Sequence, residues 1–209
     1  MALVKYNNNS LSAITAASGL ANGAMTLIKE QTASSSSTIS FVDGTSDVVL
    51  DSTYPIYLFK FINIHPSQQS GDGEEFQFNL SVDTGSNYNV TKTSTFFRAR
   101  HTEGGASNLI YETANDLAQG TGFQDLSIDN DADNDSSNSG EMWLFNPSST
   151  VFVKHFMARL NYTHSGPGCL SPFVAGYGNT TSAVDAVQFK FSAGNIDAGT
   201  FKLYGIKDS

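Results

Sequence analysis

The chain has a single cysteine, Cys169, among its 209 residues. An intrachain disulfide framework and a multi-cysteine zinc cage are therefore excluded, and the fold has to stand on its core. As a lone thiol, Cys169 reads as a small inert strand residue rather than a nucleophile. Basic charge is also scarce: 11 Lys and Arg face 20 Asp and Glu, for a net charge of −9. No window concentrates Lys or Arg. Nucleic acid needs a basic footprint and anionic lipid attracts one, so both are disfavoured as partners. Long apolar runs are missing as well. The segment from Ile56 to Ile62 is strand-length and broken by Lys60, which leaves nothing to insert into a membrane. The opening "MALVKYNNNS" has a short apolar run stopped at once by asparagines, so no secretory signal is expected and synthesis is placed in the cytoplasm. Asn-X-Ser/Thr at Asn89, Asn161 and Asn179 then reads as turn composition rather than as glycan acceptors.

What is abundant is aromatic: 15 Phe and 8 Tyr, with Ser, Thr, Asn and Gly between them. Aromatic residues favour strands and the small polar residues favour turns. In "EEFQFNLSV" the residues Phe76, Phe78, Leu80 and Val82 alternate strictly, the mark of a half-buried antiparallel strand. "YPIYLFKFIN", "STFFRARH", "NLIYE", "EMWLFN", "CLSPFVAGY", "DAVQFKFSA" and "GTFKLYGI" add further strands, separated by Gly, Asn, Asp and Ser. "TVFVKHFMARLNY" is read as one long strand, with Val151, Val153 and His155 on one face and Phe152, Phe156 and Leu160 mostly on the other. Roughly eight to ten short strands at this spacing predict an all-β, jelly-roll-like antiparallel sandwich. Its expected span is residues 38–209.

Residues 1–37 differ. "NNNS", "TAAS" and "TASSSS" surround apolar residues at Val4, Tyr6, Leu11, Ile14, Leu20, Met25, Leu27 and Ile28, whose spacing fits neither a helix nor a strand. A pure linker has no need of such anchors. The expectation is an extended N-terminal arm that orders on whatever it lies against.

Candidate chemistry is sparse. Asp129, Asp131, Asp133 and Asp135 stand at alternate positions, as calcium ligands do. Counted from Asp129, however, position 6 is Asn134 and position 12 is Gly140, with Glu141 one residue late, so the EF-hand pattern fails. A calcium-binding β-loop is weighed against a solvated acidic turn, which is the preferred reading. Asp83-Thr84-Gly85 carries the Asp-Thr-Gly of retroviral-type aspartic proteases, yet lies where a hairpin turn is expected. His65, His101, His155 and His164 form no zinc spacing. Glu74, Glu75, Glu103, Glu112 and Glu141 are carboxylates without a pairing visible in sequence. No phosphate-cradling glycine motif occurs. Tyr88, Tyr111 and Tyr177 are candidates for stacking on sugar rings. The expectation is a protein without catalytic residues and without a resident cofactor.

"DSTYPIYLFKFINIHPS", "SNYNVTKTSTFFRARH", "NPSSTVFVKHF" and "FVAGYGNTTSAVDAVQFKFSAGNIDAGTFKLYGI" resemble a group of virion structural proteins in tailed bacteriophages of marine bacteria. The resemblance spans about residues 31–206 and is sharpest from Gly194 to Ile206. It implies a homotrimeric β-domain on the virion surface, in contact with the major capsid or tail proteins, acting as a capsid decoration or head fibre and contributing to host adhesion. The alternative is a tail-fibre or receptor-binding protein whose β-domain binds, or less readily hydrolyses, a host-surface glycan. Neither reading carries over any catalytic residue.

Overall fold

The computed structural model describes residues 24–69 and 73–207. Those residues form thirteen strands and no helix, so none of them builds a helix able to cross a membrane. The strands lie in two antiparallel sheets. The order of pairing identifies the architecture. β1 (Met25–Ser36) pairs with β13 (Ile196–Ile206), and β2 (Ile39–Val42) with β12 (Ala186–Phe191). β3 (Ile56–Pro66) pairs with β9 (Asn138–Phe145), and β4 (Glu74–Ser81) with β8 (Gln124–Asn130). The pairs are nested: first with last, second with second-last, and so inward. An antiparallel ribbon rolled up this way, its successive pairs falling alternately in the two sheets, is a jelly roll. One sheet therefore holds β1-β13-β3-β9 and the other β2-β12-β4-β8.

Two insertions widen the first sheet. β10 (Lys154–Thr163) and β11 (Gly168–Gly178) continue it beyond β9. β5 (Lys92–Thr102) follows, with β6 (Ser107–Tyr111) and the short β7 (Ala118–Gly120) both paired to it. The backbone of β8 passes beneath this extension, where the Ile128 N–H donates to the Tyr162 hydroxyl of β10 at 3.1 Å.

Between the sheets lies a phenylalanine core. Phe189 of β12 meets Phe59 and Phe61 of β3 edge-on, with ring centroids 5.3 and 5.1 Å apart. It also packs on Phe76 and Phe78 of β4 and Phe201 of β13. Edge-to-face geometry sets the positive ring edge against the negative face, a gain beyond area burial alone. The alternation expected of "EEFQFNLSV" holds for Phe76, Phe78 and Leu80, all fully buried. Val82 lies past the strand end and is exposed.

Two boundaries differ from the sequence reading. The sandwich begins at Met25, because "MTLIKEQTASSS", expected in the arm, is β1. That segment lacks an apolar alternation because it is an edge strand over the rim of the core: Ala33 is its buried residue, and full-length pairing with β13 makes it a strand. Met25, Leu27 and Ile28 therefore belong to the domain. Val4, Tyr6, Leu11, Ile14 and Leu20 lie outside the described residues. Finally, the long strand expected from Thr150 starts only at Lys154, and Val151 and Phe152 sit in the preceding loop.

The antiparallel registers give the molecule two distinct ends. Met25 is opposite Ile206, Ile206 opposite Ile56, and Ile56 opposite Phe145. The loops 43–55, 82–91, 146–153 and 179–185 gather there, tied by the Asp43 N–H to the Asp185 carbonyl and the Val184 N–H to the Pro147 carbonyl. The described chain also begins and ends at this end, where the Lys207 N–H donates to the Ala24 carbonyl at 3.1 Å. The loops 103–106, 131–137, 164–167 and 192–195 gather at the opposite end.

Candidate interaction surfaces

Three surfaces stand out. The first is the end at which the described chain enters and leaves. Val151 and Phe152 are both 69% exposed, and Met25, Leu27 and Val82 are exposed with them. Such side chains would normally fold inward, but the backbone of this loop is fixed. Ser149 Oγ accepts both the Val151 and the Phe152 N–H, at 3.2 and 3.0 Å. From beneath, Lys154 Nζ donates to the Phe152 carbonyl at 2.8 Å and to the Thr180 carbonyl at 3.2 Å. Asn146, with φ +44°, makes the turn out of β9. The loop is thus built to hold two large apolar side chains outward.

The second surface is the outer face of the widened sheet. Side chains alternate across a strand, so in "FF" and "WLF" neighbouring residues must point to opposite sides. Phe96, Met142 and Leu144 go inward and are fully buried, whereas Phe97 and Trp143 go outward. The registers then line up an apolar band. Trp143 is opposite Met157, Met157 opposite Ala175, Phe173 opposite Phe97, and Phe97 opposite Tyr111. Phe97 and Phe173 stack with centroids 5.5 Å apart and planes 14° apart. Leu109 is 72% exposed and Tyr111 49%. Trp143, Met157, Arg159 and Phe173, with Glu141 and Ala158, line a shallow hollow. The Glu141 carboxylate is shared by Lys60 Nζ and Trp143 Nε1, both at 3.3 Å.

Of the three tyrosines singled out for sugar stacking, Tyr111 and Tyr177 open on this face and Tyr88 does not. Tyr111 is held by a 2.6 Å bond from its hydroxyl to Asp116, and Tyr177 lies beside the His155 ring. Tyr88 is in the 82–91 loop, with its hydroxyl over Gly85. Adjacent aromatics at Phe96-Phe97 and in "EMWLF" carry the signal for this face, but the sequence reading took "EMWLFN" only as a strand and did not assign Trp143 a face.

The third surface is acidic and lies at the end away from the chain termini. Asp131, Asp133 and Asp135 share a groove with Glu103 and His164. Their carboxylates do not converge: among the described residues no three His, Cys, Asp or Glu side chains form a cradle for a metal ion. The turn itself takes up Asp131, whose two oxygens accept the Ser136 hydroxyl at 2.6 Å and the Asp133 N–H at 3.2 Å. Asp129 is still in β8, in a left-handed conformation at φ +54°, with its carboxylate 3.5 Å from His164 Nε2. His65 Nε2 donates to the Asp133 carbonyl at 3.2 Å. Asp135 also borders a second groove, beside His65 and Asp197. Alternate positions put carboxylates on one side only of an extended chain, and here the chain turns.

Several other titratable groups are held by bonds within the fold. Asp83 accepts from the Ser81 hydroxyl, the Asn87 N–H and the Asn87 side chain, bonds that hold its pKa below the ordinary value. Thr84 and Gly85 follow at φ +59° and +77°, so Asp-Thr-Gly here is a turn. Glu74, Glu112 and Glu141 are engaged by Ser192, Arg98 and Lys60. Lys92, fully buried on the inner face of β5, donates to Asn79 Oδ1 at 2.5 Å and to the Val90 carbonyl at 2.8 Å. Burial pushes its pKa down to about 7. Cys169 is exposed on β11, and its sulfur accepts from Asn161 Nδ2. No family model matches the chain, and neither the curated proteins nor the solved structures contain one detectably similar to it.

Proposed function

We propose that the protein is a structural component of a tailed-bacteriophage virion, displayed on the particle surface as a capsid decoration or head fibre and anchored through its N-terminal segment. The observation that carries this reading is the polarity of the domain. The start of the described chain at Ala24, the exposed Met25 and the outward-held Val151 and Phe152 share one end, and the aspartate loop lies at the other. A segment that orders on docking gains affinity when a rigid apolar surface beside its root docks with it, since the second contact is then intramolecular. The sequence resemblance supplies the particle. The domain's share of the mechanism is buried area and avidity, with the acidic end facing solvent.

The structure also sets where the arm has to be cut. Deletion of residues 2–23 spares β1, whereas a cut at residue 30 would remove half of an edge strand. Virions of the encoding phage, purified and labelled with gold-conjugated antibody against the domain, are expected to carry label on the outer surface. Recombinant chain lacking residues 2–23 is expected to fail to occupy particles that lack the protein. Unlabelled virions, or full occupancy by the truncated chain, overturn the reading. A second reading, glycan recognition by a tail-fibre-type domain, draws on the exposed Tyr111 and the Phe97–Phe173 stack. Retention of a glycan on an array, lost in Tyr111→Ala, would favour it.

A further inference from the structure

One register row crosses the whole widened sheet on its outer face, and it reads as a sequence of charges. From the β1 edge its residues are Glu30, Lys202, Lys60, Glu141 and Arg159, each opposite the next. Glu30 pairs with Lys202 at 3.0 Å, and Glu141 with Lys60 at 3.3 Å. Two carboxylates thus serve two lysines, and Arg159 is left over. Among the described residues its guanidinium has no hydrogen bond and no ion pair. Beyond it the row turns aromatic, with Phe173, Phe97 and Tyr111 following on β11, β5 and β6. An exposed arginine beside a stacked pair of rings presents a planar fork of donors that matches a carboxylate, and its own chain supplies none.

Arg159 stands between two hollows. On one side Trp143, Met157 and Phe173 wall a hollow of about 240 Å³. On the other, Ser139, Asn161 and Ser171 bring hydroxyl and amide groups to a wider one of about 640 Å³. Trp143 and Ser139 lie on β9 roughly 13 Å apart, which is longer than one sugar ring and fits two. Glu141 holds the indole by its Nε1, so this wall is set before a ligand arrives. We infer that the double hollow binds an acidic oligosaccharide: a uronic acid with its carboxylate on Arg159 and its ring in the Trp143 hollow, and a neutral sugar beyond it over Ser139, Asn161 and Ser171. The inference rests on the glycan-recognition reading and gives it a ligand class and a place. Aromatic walls suit the C–H face of a pyranose, and a few small polar groups orient its hydroxyls. One unfilled cation calls for one carboxylate, so a uronic acid alternating with neutral sugars fits. A polyanion such as nucleic acid does not fit a chain of net charge −9. A peptide adding to the sheet would need a free strand edge, and β9, β10 and β11 are each paired on both sides.

Trp143 is the chain's single tryptophan, so its emission reports on the hollow directly. The purified full chain is titrated, by fluorescence and calorimetry, with tetrasaccharides that alternate glucuronic acid with a neutral sugar in several linkages. Their methyl esters, the neutral N-acetylglucosamine tetramer and a glutamate-rich peptide serve as comparisons. At least one acid should shift Trp143 emission saturably, and its methyl ester should bind at least tenfold more weakly. Arg159→Gln should weaken that acid at least tenfold with the melting temperature unchanged. Lys202→Gln removes a cation from the same row, but a paired one, and should leave binding as it was. The inference is overturned by an ester that binds as well as its acid, by equal effects of the two substitutions, or by binding that leaves Trp143 emission unmoved. A peptide bound as tightly as any sugar overturns it too. Neutral sugars held through Tyr111 and indifferent to Arg159→Gln would keep the glycan reading and remove this site alone; a chain that binds no sugar of either kind removes both.

Discussion

Replacing Lys92 by Met should change how stability depends on pH, and by an amount the structure sets. Lys92 is fully buried, its ammonium meets the Asn79 and Val90 oxygens, and desolvation holds its pKa near 7 against an ordinary 10.5. Between those values the unfolded chain binds a proton that the folded chain does not. Stability therefore rises with pH across that window, and burying the charged form is unfavourable below it. At about 1.4 kcal/mol per unit, the whole difference is roughly 5 kcal/mol, of which about 4 accrues by pH 10. Burial raises the pKa values of Tyr57 and Tyr162, which makes the folded state lose stability above the ordinary tyrosine pKa and closes the useful window there. Lys154 adds to the slope in the same direction as Lys92, also through burial. Met retains the aliphatic stem and leaves Asn79 Oδ1 satisfied by the Leu80 N–H, but strands the Val90 carbonyl at a pH-independent cost of about 1 kcal/mol. The assay is urea unfolding of both proteins, followed by Trp143 fluorescence, at steps between about pH 6.5 and pH 10 with linear extrapolation. Lys92→Met should exceed the wild type in stability at the acid end and lose that advantage toward the alkaline end. A stability difference that is flat across the series refutes the argument.

The core, the glycines and the aspartate loop each give a further test. Phe189→Ala removes the ring that joins the two sheets and should cost about 3–5 kcal/mol in chemical denaturation; a loss below about 1 kcal/mol would show that the sheets do not depend on it. A Cβ at Gly140 would stand 2.4 Å from the Arg159 carbonyl oxygen, so Gly140→Ala should destabilise by about 1–3 kcal/mol. Gly122→Ala, which meets nothing within 4 Å, should be near neutral in the same melt. Because Asp129, Asp131, Asp133 and Asp135 form no common cradle, millimolar calcium or a chelator should leave the melting temperature unchanged within error. A rise of several degrees with calcium would refute that geometry.

Legibility in the sequence followed the locality of the interactions. The two-residue period of "EEFQFNLSV" is a local signal, and it placed Phe76, Phe78 and Leu80 in the core correctly. Turn chemistry is local too, so Asp83-Thr84-Gly85 was recognisable as a turn from residue type alone. β1 was missed because its strand character comes from β13, some 170 residues away, and an edge strand with Ser on both faces carries little period of its own. The outer aromatic face was missed for a different reason. Aromatic residues in strands are usually core, and only strict alternation through "FF" and "WLF" reveals that half of them point the other way. Val151 and Phe152 were expected in a strand because nothing in "STVFV" announces that Ser149 will pin the loop open.

The nesting of the strand pairs also sets a timetable for synthesis. β13, the last of the described strands to be made, lies between β1 and β3. Among the described residues β1 therefore has no strand to bond until β13 has been made, and β2 waits almost as long for β12. Pairings this distant in sequence close late, because loop-closure entropy is met before any contact rewards it. The outer pairs thus close after local ones such as β9–β10, β10–β11 and β5–β6. A chain cut within β13 would leave both β1 and β3 with bare edges open to other chains.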